Sequence, residues 1–209
     1  MSNPTDELSE ADRDRLHAAE MKQLQAERRI ERATKTQRGG LLMILTGPGK
    51  GKSSSAFGMV ARSLGWGMRV GIVQFIKGKW QTGEKHFFRR FPEQVTFEVM
   101  GEGFTWEVQD RQRDIAAAQK AWQRSCELIN DPDYDLVLLD ELNIAIRNDY
   151  VSIGDVVAFL KDRPRDKHIC ITGRDARPEL IEIADLVTEM TLVKHPYQAG
   201  FKAQRGVEF

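Results

Sequence analysis

The sequence predicts an α/β fold of three layers, a mostly parallel sheet with helices on both faces, and three observations carry that expectation. Residues 41–62 read as a short apolar strand, a glycine-rich turn and a helix. Further apolar runs of strand length stand at 69–76, 135–141 and 167–172. Segments with helical spacing lie between these runs, so strand and helix alternate along the chain.

The first 38 residues differ in kind from the rest. Charges of both signs run from Asp6 to Arg38, with apolar residues only at Leu8, Leu16, Met21, Leu24 and Ile30 and some alanines between. Residues 11–33 contain no Gly or Pro, so a helix is allowed, and Ser9 is placed to cap it. The apolar stripe is too thin to fix such a helix on a core. Residues 1–38 are therefore read as a mobile helical arm, and 39–209 as the folded domain; a disordered tail is the alternative for the arm.

The strand Leu41-Leu42-Met43-Ile44-Leu45 enters the turn Thr46-Gly47-Pro48-Gly49-Lys50-Gly51-Lys52-Ser53-Ser54-Ser55, and the helix begins there. Strand, glycine-rich turn, Gly-Lys-Ser and helix form the context of a phosphate-binding P-loop. Glycines let backbone N–H groups turn inward on a polyphosphate, and the helix N-terminus adds partial positive charge. Lys52 would reach phosphate oxygens and the Ser53 hydroxyl would sit on Mg²⁺. The usual G-x-x-x-x-G-K-S spacing puts a glycine at position 46, but that residue is Thr46, the glycine comes at Gly47, and a second lysine, Lys50, lies inside the loop. A glycine-rich turn that binds nothing is the plain alternative, and the agreement of strand, loop and helix weighs against it. Nucleotide binding follows from the motif; hydrolysis does not.

After the second strand at 69–76, residues 77–84 bring two glycines, two lysines, Trp80 and Glu84 into a loop. Loops at the carboxyl ends of strands line the ligand crevice of an open α/β sheet, so this loop is a site candidate. A short helix is expected over 85–91 and a strand over 95–99. The loop Gly101-Glu102-Gly103-Phe104-Thr105-Trp106 follows, two glycines framing aromatic side chains that either plug the edge of the core or face a ligand. Residues 107–130 form the longest helical segment of this part, with Ile115, Ala118, Trp122, Cys126 and Ile129 on one face, and Asp131-Pro132 ends it.

Residues 135–141 supply the second nucleotide signal, a hydrophobic strand ending in Asp140-Glu141. Downstream of a P-loop such an end matches a Walker B element, in which a carboxylate holds Mg²⁺ directly or through water. In an extended chain the two side chains point to opposite sides, so one of them would face the metal. A helix at 152–161, the strand at 167–172 ending in Gly173-Arg174-Asp175, a helix from Pro178 to Ala184 and a last strand within 186–193 complete the domain. The tail from Lys194 is irregular, basic and aromatic.

Lys+Arg and Asp+Glu are both 31 in 209 residues. A zero formal charge argues against a broad nucleic-acid or membrane-surface binder. No apolar run approaches the roughly 18 residues of a membrane span, and the acidic, polar start resembles no signal peptide. Cys126 and Cys170 are expected as free, buried thiols. A cytoplasmic α/β protein is the class these features describe.

The chain resembles the P-loop type ATP:corrinoid adenosyltransferases. The resemblance rests on Thr46 to Ser53, Val73-Gln74-Phe75-Ile76-Lys77-Gly78, Gly103-Phe104-Thr105-Trp106-Glu107, Val137 to Leu142, Ile171-Thr172-Gly173-Arg174, and the run from Val193-Lys194-His195 to Lys202-Ala203-Gln204. These stretches span about residues 40–209 in the family's order, and the shortened loop with its extra lysine is a family trait. Pro48 and Ser53 stand where Asn and Thr are usual, and neither change is expected to abolish phosphate or Mg²⁺ contact.

The resemblance implies a three-layer P-loop NTPase-like fold put to unusual use. The 5′-deoxyadenosyl group of ATP passes to the Co(I) of a corrinoid, cobalamin or cobyrinic acid a,c-diamide, and the whole triphosphate leaves. It implies nucleotide binding by Gly47, Pro48, Gly49, Lys50, Gly51, Lys52, Ser53, Ser54 and, from its place in the motif helix, Arg62. It implies Mg²⁺ (or Mn²⁺) on Ser53 and Glu141, with Asp140 beside them, and catalytic roles for Lys52, Phe104 and Trp106. The two aromatic residues would lie at the lower face of the corrin and exclude the lower axial ligand. A flavin or flavoprotein electron donor and a homodimer whose N-terminal arm covers the corrinoid belong to the same implication. An ordinary P-loop ATPase or kinase, and a binding module without turnover, are the rival readings.

Overall fold

The computed structural model describes residues 9–76, 82–99 and 111–208. The chain divides into two compact units, Met1–Arg38 and Gly39–Phe209. The first holds one helix, α1 (Glu10–Ala33), capped by Ser9, whose hydroxyl accepts the Asp12 N–H at 3.2 Å. Glu10 and Asp12 in its first turn face the positive end of the helix dipole. No residue of α1 is buried, in keeping with its thin apolar stripe.

The second unit runs β1 (Leu42–Thr46), α2 (Lys52–Gly65), β2 (Val70–Gln74), α3 (Gly83–Phe88), β3 (Val95–Val99), α4 (Arg111–Asn130), β4 (Leu136–Asp140), α5 (Leu142–Arg147), α6 (Ile153–Lys161), β5 (His168–Thr172), α7 (Pro178–Ile183) and β6 (Leu186–Glu189). The six strands form one sheet in the order β3-β2-β4-β5-β1-β6, and every pair is parallel. The carboxyl ends of β1, β5 and β4 therefore stand side by side, although β1 lies far from the other two along the chain.

Side chains alternate across each strand, and this splits the core in two. Leu42, Ile44, Val137, Leu139, Ile169 and Ile171 pack against residues of α4, α5, α6 and α7. Met43, Leu45, Ile72, Leu136, Leu138 and Cys170 pack on the other face against Ala56, Phe57 and Val60 of α2 and Phe88 of α3. Phe57 stacks on Phe88 and Phe97, with ring centroids 5.7 and 6.1 Å apart. Truncating a fully buried Leu or Ile of this sheet would cost about 2–5 kcal/mol, so the strand ends are firmly held.

The described elements fall within a few residues of where the sequence places them. The tail adds one 3-10 turn at Pro196–Ala199, and the expected helix start at 107–110 lies outside the described residues. Two differences bear on packing. The inward stripe of α4 keeps Ala118 and Ile129 of the expected face and adds Ala121, Ser125 and Leu128, while Ile115, Trp122 and Cys126 are only half-buried. Ser125 returns its hydroxyl to the Ala121 carbonyl at 2.7 Å, which lets a polar residue sit on the buried face. Gly71 of β2 admits Leu128, since a Cβ there would lie 3.2 Å from its methyl. Trp122 is half-buried instead and meets Phe159 edge-on at 5.5 Å. The second difference is α5, six residues too short to show a period, which starts directly after the acidic pair. Both cysteines are free; Cys170 is buried and Cys126 half-buried. Burial pushes their thiols up to about 12 and about 11.

Candidate active site

β1 is buried along its whole length, which fixes the point where the chain leaves the sheet and turns through Gly47–Gly51 into α2. Position 46 carries threonine because it is still strand: the Thr46 hydroxyl accepts the Ala176 N–H at 3.1 Å, tying the loop base to the chain after β5. Gly47 and Gly51 have φ of 98° and 107°, where a side chain would be strained. Gly49 is required by proximity. A Cβ there would stand 2.4 Å from the Thr191 carbonyl oxygen, and the Gly49 N–H donates to the Met190 carbonyl at 2.7 Å. The segment following β6 thus backs the loop. Pro48 is exposed.

Lys52 opens α2 and is buried, with 7 % of its surface exposed. Its ammonium donates to the Gly49 carbonyl, within the loop. Burial lowers its pKa, the Glu141 carboxylate opposes that shift, and Arg174 and Lys50 reinforce it. Gly51 contributes no capping side chain, so the N-cap takes up none of the first N–H groups of α2. Ser53 is half-buried and Ser54 exposed in that first turn. Lys50 is exposed and pairs with Glu208 at 3.1 Å. Arg62 stands apart from this cluster. It is exposed in the last turn of α2, ten residues beyond Lys52, or about 15 Å along the helix.

Across from the loop, the two carboxylates of the acidic strand end are held differently. Asp140 is buried and both its oxygens are engaged: one accepts the Thr172 hydroxyl at 2.7 Å, the other the Gln74 amide at 2.9 Å. Glu141 does not continue the strand. Its φ is 63°, in the left-handed region, so it turns off the sheet, and the expectation of two side chains on opposite sides of an extended chain does not hold there. Thr172 holds this turn by accepting the Glu141 N–H at 2.9 Å.

The Glu141 carboxylate keeps one oxygen, Oε2, buried and without a hydrogen bond among the described residues. Asn143 is similar: its amide N–H donates to the Gly173 carbonyl at 3.2 Å while its buried Oδ1 has no hydrogen-bond partner among the described residues. Gly173, with φ 125°, makes room for both; a Cβ there would lie 2.8 Å from Asn143 Cβ and 3.3 Å from Glu141 Oε2. Burial raises the Glu141 pKa to about 7, Asp140 adds to the rise, and Lys52, Arg174 and Arg147 oppose it.

A lone buried carboxylate oxygen opposite a helix N-terminus is suited to a hard cation. Among the described residues no three His, Cys, Asp or Glu side chains gather closely enough to hold one. An ion at Glu141 and Ser53 would therefore complete its shell from water and a nucleotide's phosphates, as Mg²⁺ characteristically does. Phe104 and Trp106 lie outside the described residues, as does Trp80; Glu84 is half-buried in the first turn of α3.

The structure thus brings Gly47, Gly49, Gly51, Lys50, Lys52, Ser53, Asp140 and Glu141 to one edge of the sheet. Sequence reasoning assigned no role to Thr172, Gln74, Asn143, Gly173 or Glu208. The run Ile171-Thr172-Gly173-Arg174 at the end of a buried strand was the available signal, but only the strand order sets it between the loop and the acidic pair.

Residues 38–209 match the family model described as ATP:corrinoid adenosyltransferase BtuR/CobO/CobP. The chain is 62 % identical to a corrinoid adenosyltransferase of Pseudomonas aeruginosa over 170 residues, covering 81 % of this chain and 84 % of that one. It is 51 % identical to one from Sinorhizobium sp over 198 residues, 94 % of this chain and 92 % of that one, a match that reaches into the N-terminal arm. It is 43 % identical to one from Escherichia coli K12 over 170 residues, 81 % of this chain and 86 % of that one. The chain belongs to the ATP:corrinoid adenosyltransferase family.

Proposed function

We propose that Gly39–Phe209 binds ATP at the Gly47–Ser53 loop and transfers its 5′-deoxyadenosyl group to the Co(I) of a reduced corrinoid in cobalamin metabolism. The observation that carries this reading is the opposition of two incomplete groups. Lys52 is buried against a backbone carbonyl rather than an anion, and Glu141 faces the same edge with an unsatisfied oxygen. A metal-bound triphosphate would complete both.

In the transfer, Co(I) attacks the 5′ carbon, the C5′–O bond breaks, and its electron pair leaves with the triphosphate. The chain needs no general base for this, because no proton is removed. Its work is to align the ribose carbon with the cobalt and to offset charge on the leaving group. Lys52, Lys50 and the N–H groups of the loop and first helical turn, Ser54 included, serve the second task. Glu141 and Ser53 would hold Mg²⁺ or Mn²⁺, which supplies further positive charge to the triphosphate. Asp140, with both oxygens engaged, acts by fixing Thr172 and hence the Glu141 turn. Arg62, carried over from the resemblance as a nucleotide contact, stands about 15 Å along α2 from Lys52, beyond reach of phosphates held at that lysine.

One assay tests the reading: ATP with chemically reduced cob(I)alamin, following the adenosylated product and the phosphate species released. Inorganic triphosphate is expected; ADP or phosphate would favour an ordinary P-loop ATPase or kinase, and no turnover a binding module.

The resemblance implies that Phe104 and Trp106 would lie against the lower face of the corrin and keep its axial ligand away, so that Co(II) would be easier for a flavin or flavoprotein to reduce. Replacing either by Ala is expected to impair the reaction from Co(II) with a flavin donor while pre-reduced Co(I) still reacts. Equal losses with both cobalt states, in step with a lowered melting temperature, would mean that the rings only fill the core.

Residues 1–38 form the second part of the proposal, an arm that covers the corrinoid in a cytoplasmic homodimer. Deleting them is expected to leave ATP binding intact and weaken corrinoid binding. Unchanged corrinoid affinity and rate in the truncated protein would remove the arm from the site.

A further inference from the structure

We infer that Glu208 is the anion Lys50 gives up when a triphosphate arrives, a positioning residue that pairs with the loop lysine and competes with the nucleotide for it. The inference rests on the proposed ATP site. The two lysines of the loop are quenched by different oxygens. Lys52 donates to the neutral Gly49 carbonyl, whereas Lys50 pairs with a full carboxylate, Glu208 Oε2, at 3.1 Å.

The carboxylate is presented by a closed turn. The N–H groups of Val207 and Glu208 both donate to the Gln204 carbonyl, at 3.1 and 2.8 Å, and the Gln204 amide donates to the Lys202 carbonyl at 2.9 Å. The loop meets this part of the chain at a second place, since Met190 and Thr191 back Gly47 and Gly49. Glu208 thus meets the exposed one of the loop's two lysines.

A triphosphate on Lys50 would bring its negative charge beside the Glu208 carboxylate, and like charges repel at that range. Nucleotide binding must then displace Glu208. The released triphosphate is as highly charged as the substrate's, and it leaves the same lysine. Glu208, returning to Lys50, offsets the loss of that contact and favours release.

The test measures equilibrium binding of MgATP and of inorganic triphosphate to the full chain and to Glu208→Gln, Glu208→Asp, Lys50→Ala and the Lys50→Ala/Glu208→Gln pair. An exposed ion pair is worth up to about five-fold in affinity, so Glu208→Gln is expected to bind both ligands about three- to five-fold more tightly. Its kcat should not rise, because the competing anion acts on binding and release rather than on the transfer. Glu208→Asp, which keeps the charge, should restore the weaker binding. On the Lys50→Ala background Glu208→Gln should change nothing, since the two residues act through one contact. Unchanged or weaker binding by Glu208→Gln, or the same tightening without Lys50, overturns the inference. Weakened binding by Lys50→Ala with no effect of Glu208→Gln removes Glu208 alone. Wild-type binding by Lys50→Ala instead removes Lys50 from the proposed ATP site.

Discussion

Lys52→Ala is expected to lower turnover about 10²–10³-fold, the equivalent of roughly 3–4 kcal/mol of transition-state stabilisation. The loss should appear in kcat more than in the KM for ATP. Negative charge grows on the bridging oxygen as the C5′–O bond breaks, so the ammonium interacts more strongly with the transition state than with bound ATP. Loss of folded protein should not explain the effect. Burial disfavours the charged form of Lys52, so the folded protein bears a cost for keeping it protonated. The variant should accordingly melt within a few degrees of the wild type at pH 7. Turnover near the wild-type value at saturating ATP would show that the loop does not cradle the leaving group.

The parts of this site that were legible in the sequence are those whose chemistry is local. A strand, a glycine-rich loop and a helix are consecutive, so Gly47, Gly49, Lys52 and Ser53 declare themselves within a dozen residues. The acidic end of β4 is likewise read from one hydrophobic run. The division of labour between Asp140 and Glu141 was not legible, because it is settled by Gln74 on β2 and Thr172 on β5, the two strands that flank β4. Sheet order is a long-range property, and no local pattern encodes it. The turn at Glu141 was hidden for a related reason. Its φ of 63° suits glycine or asparagine better than glutamate, and Thr172 together with the start of α5 holds it in place. The α4 stripe was misjudged because Ser125 counts as polar in a hydrophobic pattern, although it satisfies its own hydroxyl inside the helix.

Glu141→Gln is expected to separate stability from function. The Glu141 carboxyl is raised to about 7 in the folded protein, against an ordinary value near 4.5, chiefly by burial and secondly by Asp140. A carboxyl raised on folding binds its proton more tightly in the native state than in the unfolded one. Its contribution to stability is therefore full below about pH 4.5 and is lost as the pH rises through about 7. The loss is at most on the order of 3 kcal/mol at pH 8, or several degrees of melting temperature for a domain of this size. Glutamine carries no such charge. The variant should thus match the wild type near pH 5 and melt several degrees higher at pH 8. With MgATP present the order should reverse at pH 8, because a cation on Glu141 favours the ionised carboxylate and the amide binds it poorly. Melting curves from pH 5 to 9, with and without MgATP, decide the matter. A difference between the two proteins that does not vary with pH would show that Glu141 is not a buried, strained acid. A MgATP-induced shift equal in both would show that the residue does not hold the ion.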